Sequence, residues 1–155
     1  MSVSDEATFH YDVFVSYAGA DKAWVSKSFV PALEAAGLRV CVFPRDQHVG
    51  KPKIEDLEDS ILGSRHTVLV LSPEFVNSEW QAFSGSLVQT IDVAARDERV
   101  IPLLRKECDL PHRIDYLTPA DFTTLDEVDL TWRKLLIALD APNVDYPTPK
   151  ITPPY

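Results

Sequence analysis

Residues 11–17, YDVFVSY, decide the fold of this chain. Valine, phenylalanine and tyrosine favour β-strands, and a short apolar run without polar alternation is typical of a strand that is buried on both faces. Residues 18–21 predict a turn, and apolar residues then recur at helical spacing from Trp24 to Ala36. A buried strand that leads into an amphipathic helix is the first half of a β-α-β unit.

The same alternation of strand and helix continues along the chain. Further strands are predicted at residues 39–43, 67–71, 100–104 and, more weakly, 116–122. Further helices are predicted at 54–61, 79–95 and 128–139, with a turn at 73–77. Strands that alternate with helices at this spacing imply right-handed crossovers and a parallel sheet that is covered on both faces.

Three residues are expected to shape the first helix. Asp21 is placed to cap its N-terminus, and Gly37 is placed to end it. Pro31 lies inside the helical pattern, so we expect it to bend the helix or to remove a hydrogen bond.

Composition and charge exclude several classes of protein. The 155 residues include 15 Lys and Arg against 24 Asp and Glu, which gives a formal net charge of -9. This size predicts one globular domain. Acidic charge with scattered basic residues argues against a nucleic-acid partner, and the absence of a long apolar stretch argues against a membrane. Cys41 and Cys108 show no ligand or redox spacing, so we expect no disulfide, no metal site and a cytoplasmic setting.

The chain divides into three segments. Residues 1–10 show no periodicity and predict a flexible lead, and residues 11–140 form the predicted domain. Residues 141–155 contain five prolines, which predicts a proline-rich linker or tail with no packed structure of its own.

The loops at the carboxyl ends of the strands do not match the common catalytic motifs. A ligand crevice in an open parallel sheet lies beyond these strand ends. Residues 16–21 contain a single glycine, Gly19, so the glycine-rich patterns that cradle nucleotides are absent there. The sequence also has no Gly-x-Ser-x-Gly elbow, and its four histidines are dispersed.

Several ordered segments resemble the Toll/interleukin-receptor (TIR) domain family, in its bacterial-type form. Residues 11–17 are similar to the first signature box of the family, and Arg45-Asp46 followed by Gly50 resembles the second. Residues 71–80, LSPEFVNSEW, resemble the exit of the third strand and the entry of the next helix. Smaller matches are Ile101-Pro102-Leu103 and Asp121-Phe122.

The resemblance implies an α/β, flavodoxin-like fold with five parallel strands in the order 2-1-3-4-5 and helices on both faces. It also implies two possible roles. Many TIR domains associate with themselves or with other TIR domains through the loop after the second strand. Some cleave NAD+ into nicotinamide and ADP-ribose or a cyclic product.

Association is the leading hypothesis, within a larger signalling or defence protein. The resemblance places the interaction loop at five residues: Arg45, Asp46, His48, Gly50 and Lys51. Lys51 and Lys53 make this loop locally basic on an acidic protein, which favours a complementary partner surface such as another copy of the domain. The alternative for Arg45 is a cation that is merely solvated in the loop.

NAD+ cleavage is the alternative role, and it depends on one position. In the cleaving members a glutamate follows the helix-entry tryptophan by four residues, which is about one helical turn. Counted from Trp80, that position is Ser84, which cannot supply a negative charge. Glu79 is adjacent to the tryptophan but points about 100° away around the helix, so it could substitute only in a shifted register.

The remaining NAD+-binding candidates lie at the same strand ends. They are Ser16, Tyr17, Gly19, Arg45, Asp46 and Trp80. Trp80 has a second interpretation as a core residue, because Phe83 and Leu87 follow it at helical spacing. For Ser84 the second interpretation is a small residue that, together with Gly85, lets another helix or another chain approach closely. No cofactor is required by either role, and NAD+ would be a substrate or ligand.

Overall fold

A computed structural model describes residues 9–150, except the side chains of Ala82, Ser84 and Ser86. Five strands form one sheet in the order β2-β1-β3-β4-β5. Every pair of neighbours is parallel, which confirms the predicted fold class. The strands are β1 (Tyr11–Ser16), β2 (Val40–Val42), β3 (Ser64–Leu71), β4 (Val100–Leu104) and β5 (Ala120–Asp121).

Helices connect the strands. The first, α1, is continuous from Lys22–Trp24 through a π-helical turn at Val25–Phe29 to Val30–Ala35. The others are α2 (Lys53–Leu62), α3 (Pro73–Asn77), α4 (Glu79–Ser86), α5 (Val88–Arg96) and α6 (Val128–Ala138). Short 3-10 turns lie at Gly19–Asp21, His112–Ile114 and Leu125–Glu127.

The strands alternate their side chains between two apolar layers, as the period of two requires. In β1, Val13 and Val15 pack with α1 and α6, whereas Phe14 packs with α2, α4 and α5. In β3, Val68 and Leu69 divide between the same two layers. Both faces of the sheet are therefore covered, which explains why the central strands lack polar alternation.

The π-helical turn ends at Phe29, two residues before Pro31. Proline has no backbone N–H and its ring crowds the carbonyl four residues earlier, so the regular helical ladder cannot continue through this point. The predicted disturbance is confirmed as a local widening of the helix. The helix ends as predicted at Gly37, whose φ of 100° is a conformation that suits glycine.

Three local predictions were wrong. The single helix predicted over 79–95 is two helices, α4 and α5, separated at Leu87. The turn predicted at 73–77 is the short helix α3, and Ser72 caps it by accepting a hydrogen bond from Phe75 N. Asp21 makes no capping hydrogen bond, because its side chain is buried elsewhere.

Residues 141–150, hereafter the tail, lie against the domain. Ala141 is buried, and Val144 and Tyr146 pack against the layer formed by α1 and α6. Asn143 N donates to Ala36 O at 2.9 Å. Residues 144–145 form a turn and residues 146–150 have no regular secondary structure, and the segment lies against the core; residues 151–155 lie outside the described range.

The described part of the predicted N-terminal lead also contacts the domain. His10 N donates to Gly63 O at 2.9 Å, and the guanidinium groups of Arg65 and Arg99 lie over the Phe9 ring. Residues 1–8 lie outside the described range, so the predicted flexible lead and the three domain boundaries stay predictions. Within residues 9–150, no helix is long and apolar enough to cross a membrane.

Candidate functional site

A cleft of about 470 Å³ opens at the carboxyl ends of β1 and β2. Its apolar lining comes from the sheet and from α2 and α4: Phe14, Val15, Phe43, Pro44, Ile54, Leu57 and Phe83. Its polar lining consists of Ser16, Tyr17, Gly19, Lys22, Gln47, Lys53, Ser78 and Glu79. This volume is within the range of about 300–1,000 Å³ that small-molecule sites occupy.

Glu79 is the carboxylate among the described residues that line the cleft. It lies in the first turn of α4, where the helix dipole favours a negative charge. The hydroxyl of Ser78 donates to one of its oxygens. Lys22 and Lys53 line the same cleft, so both signs of charge are present at a partly apolar site.

The structure brings together some of the predicted NAD+-binding residues. Ser16, Tyr17 and Gly19 line the cleft with Glu79. Tyr17 is held in place because its hydroxyl donates to Phe43 O at 2.6 Å. Arg45 and Asp46 are not among the residues that line this cleft.

Trp80 and Ser84 have different outcomes. Trp80 is buried in the core and stacks on Phe83, with ring centroids 5.8 Å apart. Its position is therefore that of a core residue. Its ring does not line the cleft. Ser84 lies within α4, but its side chain is outside the described ones, so its role stays a prediction.

Arg45 and Asp46 hold the loop after β2 against the domain. Arg45 donates to Val40 O at 2.7 Å and to Asp46 at 3.1 Å, and it forms an ion pair with Glu34 at 3.0 Å. Asp46 also accepts from Val42 N at 3.0 Å. Because all three guanidinium nitrogens are engaged, Arg45 is a loop anchor in this structure.

The second half of the loop is anchored to α2. Asp56 is buried and accepts from His48 N at 2.7 Å and from His48 Nδ1 at 2.8 Å. Lys51 pairs with Asp59 at 2.6 Å. Burial alone raises the pKa of the Asp56 carboxyl, but the His48 hydrogen bonds and the charges of His48 and Lys51 outweigh it and lower this pKa.

The tip of the loop lies between these two anchors. Val49 is fully exposed, and Gly50 has a φ of 86° with nothing within 4 Å of an added Cβ. An apolar side chain in solvent at the tip of an anchored loop is available for contact with another protein. Of the predicted interaction residues, Gly50 lies at this tip, and the others serve partly as anchors.

A buried polar cluster at the same edge of the sheet was missed by sequence reasoning. Asp21 is 2% exposed and accepts from Ser72 Oγ at 2.7 Å, with Lys106 Nζ at 3.8 Å. Arg105 stacks over the Trp24 ring, 4.7 Å from its centroid. Burial lowers the pKa of Arg105, and the charge of Asp21 opposes this effect.

The cluster ties together the loops that follow β1, β3 and β4. Its members come from three segments that are separated by tens of residues in sequence, around Asp21, Ser72 and Arg105-Lys106, and no local spacing marks them. The available signal was that Ser72 and Arg105 are polar residues directly after the buried strands β3 and β4; Asp21 lies five residues after the end of β1 and carries no such mark.

The cysteines and acids of the described residues do not build a metal or thiol site. Cys41 and Cys108 are free thiols. Burial raises the pKa of the Cys41 thiol to about 11, so the thiol stays protonated and unreactive at neutral pH. No group of three or more His, Cys, Asp and Glu side chains among the described residues could hold a metal ion.

A doubly wound parallel sheet with its cleft and its anchored loop at the carboxyl edge defines a flavodoxin-like α/β domain. The model of the TIR domain family matches residues 13–136 of this chain. The chain therefore belongs to the TIR domain family. Its bacterial type within the family stays a prediction.

Similar curated proteins are Toll-like receptors. Toll-like receptor 6 of Bos taurus is 37% identical over 75 residues, which are 48% of this chain and 10% of the receptor. Toll-like receptor 13 of Mus musculus is 40% identical over 78 residues, which are 48% of this chain and 8% of the receptor. These matches therefore concern one part of much longer proteins.

Similar solved structures cover nearly the whole described fold. The TIR domain of the Toll-related receptor TRR-2 from Hydra magnipapillata has a TM-score of 0.70 at 29% identity, over 84% of this chain and 98% of that chain. A metazoan TIR-STING receptor from C. gigas has a TM-score of 0.63 at 24% identity, over 92% of this chain and 42% of that chain. At this identity the second likeness supports the fold alone.

Proposed function

We propose that this chain is a signalling domain that works by associating with another copy of itself or with another TIR domain. Membership of a family that contains receptor signalling domains supports this role. The observation that carries it is the fully exposed Val49. Val49 lies at the tip of a loop whose two ends are both anchored to the domain. A cytoplasmic location within a longer signalling or defence protein is part of the proposal.

The loop is suited to meet an acidic surface. Residues 44–53 contain Arg45, Lys51 and Lys53 against a single acid, Asp46, although the whole chain has a net charge of -9. Arg45 and Lys51 are paired with acids of the same chain, so among the described residues Lys53 is the basic residue of this segment that forms no ion pair. The anchors hold the loop in one conformation before binding, which reduces the conformational entropy lost on association. Opposite local charges would orient the partners, and burial of Val49 would add apolar contact area.

We infer that the complementary surface is the exposed face around Leu125. The side chain of Leu125 is 72% exposed at the start of the last helical region, and Leu130 is also exposed. Three acids occupy the same segment: Asp126, Glu127 and Asp129. This surface therefore offers an apolar contact within an acidic rim, as the loop requires.

The loop and the acidic face are different surfaces of one chain. A contact between them is heterologous, so each copy keeps one free loop and one free face, and further copies can add. Association would therefore grow with concentration beyond a dimer.

A mixing experiment tests this geometry. Val49→Asp disables the loop and Leu125→Asp disables the face, and both positions are exposed, so the fold should persist. Each variant alone is expected to be monomeric in sedimentation velocity. An equimolar mixture is expected to form a dimer and nothing larger, because only one productive contact remains per pair.

Val93→Asp is the matched control, since Val93 is an exposed valine on α5. It should associate like the parent chain. Association of Val49→Asp alone at the parent level would reject the loop, and failure of the mixture to dimerise would reject the pairing of loop and face.

We also propose that the cleft binds NAD+ and cleaves it only weakly. The observation that favours this second role is the presence of Glu79 beside Ser16, Tyr17 and Gly19 in a cleft of suitable volume. A carboxylate there could interact with ribose hydroxyls and with a developing positive charge on the sugar. Ser84 in place of the expected glutamate is the reason to expect slow turnover.

Nicotinamide release from NAD+ tests the cleft. The parent chain should turn over well below about 1 per second, Ser84→Glu should be faster, and Glu79→Gln should lose the residual rate. Glu107→Gln, at an exposed acid, is the control for a general charge effect. Lack of NAD+ binding by calorimetry, or residual release that Glu79→Gln leaves unchanged, would remove this second role.

A further inference from the structure

Two buried tryptophans contact the tail in the same way. Trp132 Nε1 donates to Tyr146 O at 2.8 Å, and Trp24 Nε1 donates to Lys150 O at 2.9 Å. Both rings are otherwise packed in the core, at 2% and 3% exposure. The two indole N–H groups therefore point out of the core at backbone carbonyls four residues apart.

The bound segment is stiff before it docks. Pro147 and Pro149 fix their own φ angles, and each restricts the preceding residue to extended conformations. The sequence Tyr146-Pro147-Thr148-Pro149 is thus held extended by its own covalent structure. Such a segment loses little entropy on binding, and its carbonyls remain free to accept hydrogen bonds.

Side chains fix the position of the segment along α6. Thr148 Oγ1 donates to Asp129 Oδ1 at 2.6 Å, and Arg133 pairs with Asp145 at 2.8 Å. Pro149 is buried, and Tyr146 packs against the core layer. The contact therefore combines buried apolar groups, indole donors and a proline-spaced backbone.

We propose that the surface between Trp24 and Trp132 is a binding groove for extended proline-containing peptides, filled in this chain by its own residues 144–150. Aromatic grooves whose ring N–H groups bind carbonyls are one of the ways in which proteins recognise proline-rich segments. The ligand class is a Tyr-Pro-x-Pro-Lys sequence, and the external ligand is the same segment from a second copy. This site is separate from the cleft and from the loop after β2.

The tail of the same chain competes with any external peptide. An external ligand can bind only those molecules in which the groove is open. Its apparent dissociation constant is therefore the intrinsic one divided by the open fraction. The parent chain should therefore bind a peptide poorly, and a change that loosens the tail should improve binding.

The test uses the full chain with Pro147→Gly/Pro149→Gly, which frees the tail backbone while leaving the groove residues intact. Pro153→Gly/Pro154→Gly is the matched control. In NMR spectra the indole N–H signals of Trp24 and Trp132 should shift in the first variant. The signal of Trp80, which lies in the opposite core layer, should stay in place.

A fluorescent peptide with the sequence of residues 144–152 then serves as the ligand. The loosened variant should bind it at least about tenfold more tightly than the parent chain, and binding should return both indole signals toward their parent positions. Trp24→Phe or Trp132→Phe in the loosened variant should weaken binding by at least about fivefold, since each removes one donor and keeps an aromatic ring. A peptide with both prolines replaced by glycine should bind more weakly.

If the glycine variant loses its native circular dichroism, Asp145→Ala/Thr148→Ala releases the tail through two surface contacts instead. No peptide binding by a folded, tail-loosened chain would overturn the proposal. The proposal is also overturned if the indole N–H signals of Trp24 and Trp132 do not shift when the peptide is added. It is overturned as well if the phenylalanine variants bind the peptide as tightly as the loosened chain does.

Discussion

Gly37 shows how one backbone position connects α1 to the tail. Its φ of 100° disfavours any side chain, and a Cβ placed there would lie 2.8 Å from Pro142 Cγ. The sequence predicted the helix end from the glycine itself. It could not predict Pro142 as the neighbour, because that contact depends on how α6 returns the chain to α1.

The substitution Gly37→Ala should destabilise the fold by about 2 kcal/mol through backbone strain and the clash with Pro142. Gly85→Ala is the control, since Gly85 lies in α4 with nothing within 4 Å of an added Cβ. That variant should gain up to about 1 kcal/mol from helix propensity. Urea unfolding measures both, and equal stability of Gly37→Ala and the parent chain would contradict the strain.

Asp56 should make stability depend on acidity. Its carboxyl has a lowered pKa in the folded state, so its contribution is fully present above the unfolded pKa of about 4 and is lost as the pH falls through the folded pKa. Asp56→Asn should lower the free energy of unfolding by about 1–3 kcal/mol at pH 6. Below pH 4 the stability of this variant should fall less steeply with pH than that of the parent chain. Urea midpoints of both proteins from pH 6 to pH 3 test this. If the midpoints of the parent chain and of Asp56→Asn fall in parallel with pH, Asp56 does not cause the loss of stability in acid.

At the scale of elements, α4 and α5 show the limit of periodicity. Phe83, Leu87 and Ile91 are all buried, so the apolar spacing continues across the break at Leu87. The preceding Ser84-Gly85-Ser86 has weak helix propensity, which permits the break without marking it in the apolar pattern. Where the helix breaks depends on packing against the sheet.

Ser72 connects two elements, and its removal should be costly. Its hydroxyl caps α3 and donates to the buried Asp21, so Ser72→Ala removes a cap and leaves a carboxylate with less compensation. We expect a loss of about 2–4 kcal/mol. Ser26→Ala, at an exposed serine that bonds Lys22 O, should change stability by less than about 0.5 kcal/mol. Thermal unfolding of both variants measures this. Similar small losses of stability in Ser72→Ala and Ser26→Ala would argue against a structural role for the buried polar cluster around Asp21.

At the scale of the whole molecule, salt should separate local attraction from overall repulsion. Two copies with a charge of -9 repel, but the Debye length is about 8 Å at 0.15 M salt, so repulsion between distant charges is already screened. Higher salt then weakens mainly the short-range contact between the basic loop and the acidic face.

We therefore expect the dissociation constant for self-association to rise several-fold between 0.15 and 0.5 M NaCl, as measured by sedimentation velocity. Glu127→Gln should reduce the salt dependence, whereas Glu98→Gln, at an exposed acid outside the proposed face, should leave it unchanged. Association that strengthens with salt would indicate an apolar interface and would contradict the proposed charge pairing.

The sequence by itself determined the strands, most helices and the parallel sheet, because these depend on short-range patterns of apolar residues and on the turns between them. It also located Ser16, Tyr17 and Gly19 at a strand end, where they line the cleft. Tertiary structure placed Glu79 in that cleft and decided between the two interpretations of Trp80 in favour of the core. It also joined Trp24 to Lys150 across 126 residues, since contacts between distant segments arise only when the sheet brings them together.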